Sequence, residues 1–219
     1  MSSKSRKSLK GTLTLKNILA SLIIICLWWA FWLSGQALFM VDIPIFSDWL
    51  IGSGQQTNFI VLTTWTAVVC LIAFAVYHWL QRDYSFLRAK NKWDVLAYIV
   101  PLVLMVALIA TTSEVFGVPV LIYICGMIVS VFCQDLLTTG FMQTSLSHKI
   151  GPILAAVVTC VVFYFGHFMI TETLTIMGVI TVIGFVLFSF LRYKRGNIYL
   201  VNVVHLSYSL LAALPIFGV

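Results

Sequence analysis

The stretch QDLLTTGFMQ, residues 134–143, sets an amide and an acid side by side inside an otherwise oily chain. An acid in such surroundings is exposed at a membrane edge, paired with another group, or used. The solvent has to be settled first, and composition settles it. Of the 219 residues, 61% are hydrophobic and 9% charged, and the mean hydropathy is +1.05. So little polar side chain cannot cover a water-facing surface, which excludes an ordinary soluble domain. The net charge of +6 would suggest nucleic acid in a soluble protein, but the cations fall in short clusters between apolar runs. They read as topology signals, so the expected surroundings are a lipid bilayer and no nucleic-acid partner is expected.

Outward from 134–143, apolar segments occupy roughly 17–40, 57–80, 94–113, 116–141, 151–170, 173–191 and 198–217. Each is near or above the ~20 residues a helix needs to cross ~30 Å of hydrocarbon. The pattern predicts an all-α, polytopic transmembrane helix bundle of about seven spans. All thirteen cations lie in four places: the N-terminal tail, the loop at 81–93, Lys149, and the loop at 192–195. The intervening connections hold Asp42, Asp48, Glu114 and Glu172 and no cation. Under the positive-inside rule this puts the N-terminus in the cytoplasm and the C-terminus outside. The expected organisation is a basic cytoplasmic tail (1–16) and one membrane domain (17–219), in a multi-pass protein of the cell membrane, the bacterial plasma membrane in particular. The first apolar run is too long for a signal-peptide core and lacks a cleavage site, so it reads as a retained helix. Trp28, Trp29 and Trp32 on it read as interface anchors or lipid-facing bulk. The five cysteines show no CxxC pair and read as packing residues rather than disulfides or metal ligands.

A charged side chain at a helix centre costs roughly 2.5–3.5 kcal/mol, which makes intramembrane polar residues functional candidates. They are Gln134, Asp135, His167 and His205, with the hydroxyls of Thr138, Thr139 and Ser209. His78 and His148 lie beside loops, where water satisfies them. If 116–141 and 151–170 form an antiparallel hairpin turning near Lys149–Gly151, Gln134 and His167 both lie roughly 22–26 Å from the turn. His205 enters from the same side, and a protruding polar stretch QTSLSHK (143–149) would level the three. Phe163 and His167, His205 and Ser209, Gln134 and Thr138, and Asp135 and Thr139 are i,i+4 pairs that share helix faces. This spacing fits a shared polar cavity. It fits equally a set of interhelical hydrogen bonds that merely hold the bundle together.

With their order and spacing, QDLLTTGFMQ (134–143), FYFGH (163–167) and HLSYS (205–209) resemble the motifs of the CPBP intramembrane peptidases. This family, also called Abi, includes CAAX prenyl proteases and bacteriocin self-immunity proteins. Its pattern is EExxxR, then FxxxH, then HxxxN, and GPILAAVV (151–158) resembles its segment between the first two. The motif core is 116–217. The resemblance implies an intramembrane endopeptidase in which the first Glu and first His activate water and the second His with Asn stabilises the oxyanion. Carried over position by position, the candidate catalytic residues are Gln134, Asp135, His167, His205 and Ser209.

The departures weaken that chemistry. Gln134 stands at the first Glu, Asp135 at the second, Thr139 at Arg and Ser209 at Asn, so the family's base position holds an amide that cannot accept a proton. Asp135 points about 100° away from it and is one methylene shorter. Without an Arg at 139, Asp135 is expected to be neutral, hydrogen-bonded to His167 or to a cavity water. Zinc on His167, His205 and Asp135 is weighed and set aside, because no HExxH helix is present, and no cofactor is expected. The expected function is an endopeptidase-like membrane protein with a weakened catalytic motif, in bacteriocin self-immunity or membrane peptide processing. Its partners would be a peptide or membrane-protein substrate, a bacteriocin or its receptor among them. The alternative is a non-catalytic immunity protein that binds the peptide or receptor; a small transporter is the outsider, disfavoured by the lack of internal repeats.

Overall fold

The computed structural model describes residues 13–40, 54–168 and 176–215, and over these the chain is helical apart from short connections and one small hairpin. The elements in chain order are α1 (Leu15–Met40), α2 (Gly54–Leu80), a 3₁₀ turn (Ser85–Leu87), α3 (Trp93–Leu96) and α4 (Ile99–Thr111). Strands β1 (Glu114–Val115) and β2 (Val118–Pro119) lead into α5 (Val120–Asp135), a π-helical stretch (Leu136–Met142) and α6 (Gln143–Ile150). Then follow α7 (Pro152–Phe168), α8 (Ile176–Arg195) and α9 (Tyr199–Ala212). Four stretches are long and apolar enough to cross a membrane: Leu15–Gly35, Asn58–Leu80, Trp93–Thr111 and Val120–Ile150. Pro152–Gly166 and Tyr199–Ala212 are shorter apolar helices. The all-α, membrane-type bundle is therefore the fold.

Local chemistry explains the breaks. Pro101 has no N–H to give the preceding turn, so the helix pauses after α3 and restarts with Pro101 in the first turn of α4, where that donor is an orphan anyway. At the other end of α4, Phe116 and Gly117 both take left-handed backbone (φ 51° and 73°). They form the two-residue turn of an antiparallel hairpin in which Val115 faces Val118, the twist that primed turns supply. The predicted span 116–141 accordingly begins four residues late, at Val120, once the hairpin has passed Pro119. Gly151, at φ 86°, reverses the chain between α6 and α7 in a conformation open mainly to glycine. Pro152 then opens α7 with its fixed helical φ.

The axis of the bundle is the continuous run from α5 through the π turns to α6. Residues 135–146 are all buried, as expected of a helix enclosed on every side. Helix α2 packs on α5, α7 on α6 and α8, and α9 on α4, α5 and α8. The polar start of α6 is thus sheltered where a protrusion was expected: Gln143 Nε2 donates to the Ser189 carbonyl (2.9 Å), and Gln143, Thr144 and Ser145 are buried. Lipid-facing bulk is not the role of Trp28 either. It is 2% exposed, stacks on Trp32 at 5.0 Å, meets Phe163 edge-on and donates through Nε1 to Thr138 Oγ1 (3.2 Å). Hydropathy cannot separate a lipid-facing apolar side chain from a helix-facing one, which is why the sequence placed this residue outside. All five cysteines are free.

Candidate active site

Asp135 closes α5 where the backbone widens into the π-helical stretch, a distortion frequent at functional sites. Its side chain is 1% exposed. Oδ1 lies 2.8 Å from His205 Nδ1, and Oδ2 accepts from Asn202 Nδ2 at 2.9 Å. Asn202 is fixed in turn by Tyr98, whose hydroxyl donates to Asn202 Oδ1 at 2.7 Å. Thr139 Oγ1 donates back to the Asp135 carbonyl (2.9 Å). The His205 ring rests against Phe188, centroids 4.9 Å apart. Nδ1 and Oδ1 share one hydrogen, and the ring's Nε2 has no hydrogen-bond partner among the described residues.

Of the residues chosen from the sequence, Asp135 and His205 are the pair joined side chain to side chain among the described residues. Gln134 points elsewhere. Its Nε2 donates to Ser130 Oγ one turn back (3.1 Å), and it lines a cavity of about 120 Å³ with residues of α1, α2 and α5. Adjacent helical positions diverge by about 100°, and here that angle sends the amide toward α1 and α2 while the acid turns to α9. Ser209 is occupied by its own helix, with Oγ donating to the His205 carbonyl at 3.0 Å. His167 lies in the last turn of α7, but its side chain falls outside the described residues, and with it the expected bond to Asp135. The partners that Asp135 does have are His205 and Asn202.

Sequence reading missed Asn202 and Tyr98. Asn202 was within reach, because an amide three residues before His205, inside an apolar run, shares its face. Tyr98 gave no signal: a tyrosine near a helix start reads as an interface residue. Arg192 was read only as a topology cation. Its Nε donates to the Thr139 carbonyl (3.1 Å) and its Nη2 to Thr144 Oγ1 (3.0 Å), so α8 delivers a guanidinium to the backbone of the position where the motif lacks one. Near the loop end, Asp83 pairs with His148 (2.8 Å). Partial burial opposes its charge, but the Ser85 backbone N–H and the His148 ring prevail and hold its carboxyl below the ordinary value.

Among the described residues no third Cys, His, Asp or Glu joins Asp135 and His205; His167, the third residue of the zinc set weighed from the sequence, has its side chain outside the described residues.

Fold and centre define the class: a helical membrane bundle with a carboxylate–imidazole–amide cluster held at its core. Within it, residues 116–211 match the family described as type II CAAX prenyl endopeptidase Rce1-like. That segment, from the hairpin to α9, is Rce1-like, and the resemblance to the CPBP peptidases holds over it. Helices α1 and α2 lie outside the match. No curated protein and no solved structure matches the chain.

Proposed function

We propose that the protein acts on a peptide or membrane-protein substrate in the cell membrane as a weakened endopeptidase of the CAAX-protease kind, in bacteriocin self-immunity or membrane peptide processing. The seven-span arrangement with N-terminus inside and C-terminus outside belongs to the same proposal and rests on the alternation of the thirteen cations. A C-terminal reporter active only in the cytoplasm would overturn that topology.

One observation carries the reading of weakened catalysis: the two positions that are acidic in the family are divided here between an amide and a buried acid with a side-chain partner on each oxygen. Gln134 cannot take up a proton at physiological pH. Asp135 has one oxygen against His205 and the other against Asn202. General-base catalysis needs hydrogen-bond reach to the attacking water before it needs a suitable pKa, and neither group offers it. His205 Nε2 is the atom of the cluster left to move a proton, with Asp135 orienting the ring. His167 keeps the role that the family resemblance gives it, beside the water, whereas the one hydroxyl hydrogen of Ser209 is donated to the His205 carbonyl and is not offered to an oxyanion. A second reading, a non-catalytic immunity protein that sequesters the peptide or its receptor, is favoured by Gln134 itself. No cofactor enters either.

The test compares the unmodified protein with Gln134→Glu, Asp135→Asn and His205→Ala, purified in lipid, on a panel of peptides, with a cell-protection assay in parallel. The expected results are slow cleavage by the unmodified protein, no gain in Gln134→Glu, whose carboxylate would face the α1–α2 cavity and not the Asp135–His205 pair, and loss in His205→Ala. Robust cleavage by the unmodified protein that vanishes in a stably folded Asp135→Asn would place the base at 135 and sink the reading.

A further inference from the structure

The cavity that Gln134 faces lies apart from the Asp135–His205 pair, and two of its three walls come from the part of the chain outside the Rce1-like segment. Phe31, Trp32 and Gly35 of α1 and Leu62, Trp65 and Cys70 of α2 enclose it against α5. Its lining is mainly apolar, and at about 120 Å³ it is slightly smaller than the roughly 150 Å³ engineered cavity that takes up benzene. A pocket of that size holds one branched or aromatic side chain. Its polar edge is equally specific. Trp65 Nε1 is committed to Ser34 Oγ (3.1 Å), and Gln134 commits Nε2 to Ser130. Gln134 Oε1 accepts no hydrogen bond from the described residues, which leaves an acceptor at the rim of an aromatic-walled hole.

We infer that this cavity is a side-chain subsite for an extended apolar peptide: it takes one leucine- or phenylalanine-sized side chain between Phe31, Trp32 and Trp65, while Gln134 Oε1 accepts the backbone N–H beside it. The inference rests on the reading of the protein as peptide-binding and names the part of the molecule that selects the peptide. Under the proposed topology the cavity lies from mid-membrane toward the outer end of α1, the side from which a secreted peptide arrives. An apolar side chain fits because it exchanges lipid or water for close aromatic contact. The amide fits because it can accept from a backbone N–H that has no water partner at this depth.

Gly35 provides the test. A Cβ there would meet Leu62 Cδ1 at 3.4 Å and Trp65 Cδ1 at 3.5 Å, ordinary contacts, so Gly35→Leu fills the cavity and Gly35→Ala serves as the mild control. Fluorescent decapeptides with Leu, Phe, Ala or Asp at one central position are titrated onto the full-length protein in lipid nanodiscs, with thermal unfolding measured on the same samples. The expected result is Leu and Phe peptides binding about tenfold tighter than Ala or Asp, and that preference disappearing in Gly35→Leu while the unfolding temperature is kept or raised. Gln134→Leu should weaken all four peptides alike. A preference that survives Gly35→Leu, with cleavage or binding intact, overturns the subsite and leaves the functional reading standing. An unmodified protein that neither binds nor cleaves any peptide overturns both.

Discussion

Gln134 and Asp135 are neighbours in sequence, yet they live in different surroundings. On the Asp135 side everything is closed: a buried carboxylate, a partner on each oxygen, and a third side chain, Tyr98, fixing one of those partners. On the Gln134 side there is a cavity, one hydrogen bond to its own helix, and an unengaged oxygen. The difference gives two neighbouring positions, both acidic in the motif they resemble, two unlike surroundings. The closed side holds a geometry, and the open side has room for something to enter.

The comparison breaks most visibly under truncation. Asp135→Ala leaves Asn202 and the His205 ring without their buried acceptor and should lower stability by about 3 kcal/mol. Gln134→Ala should cost less than about 1 kcal/mol, because its one partner is a surface-accessible hydroxyl on the same helix. Thermal unfolding of the two variants in the same lipid checks this, and equal losses would dissolve the contrast. The next step inward is Asn202→Ala, which removes one donor to Asp135 and orphans Tyr98. A loss of about 1–2 kcal/mol is expected, against almost none for Ser130→Ala, its counterpart on the open side.

Trp28 sharpens the boundary between the sides, since its indole reaches across from α1 to Thr138. Trp28→Phe keeps the aromatic stack but deletes that bond, and should cost about 1 kcal/mol with the cavity side otherwise intact. The smallest effect lies at the loop end. The carboxyl of Asp83 is held below its ordinary value by Ser85 and His148, so its contribution is fully present above the ordinary carboxylate range and is lost as pH falls through the depressed folded-state value. Both partners are about a third exposed, and solvent screening limits the term to at most about 0.5 kcal/mol. Stability against pH in His148→Ala should show a shallower acid-side slope, with the part held by the Ser85 N–H retained.

The sequence reading was strongest where the physics is one-dimensional. Span-length hydropathy located the helices, and the reversal between α6 and α7 falls where it was expected, near Lys149–Gly151. It was weakest where direction around a helix matters. Trp28 looked lipid-facing because a bilayer and a helix neighbour reward the same apolar surface. Asn202 escaped because the motif comparison fixed attention on the residue four after His205 rather than three before it. The i,i+4 face arguments around 134–139 assumed a regular α-helix, and nothing in LLTTGFM announces that the backbone widens there. Arg192 was invisible as a site neighbour because charge counting assigns a cation to a loop without asking which carbonyl it can reach.

That widening also bears on how the protein can change over evolutionary time. Each π turn behaves like one residue inserted into an α-helix, and one residue swings everything beyond it by about 100°. Loss of a single residue from Leu136–Met142 would therefore turn positions 134 and 135 relative to α6, carrying Gln134 out of its cavity and Asp135 off its partners without altering either side chain. Which neighbour meets the imidazole of α9 is set by chain length in this stretch as much as by residue identity. A one-residue deletion or insertion here is a shorter route to a different site than any substitution at 134 or 135.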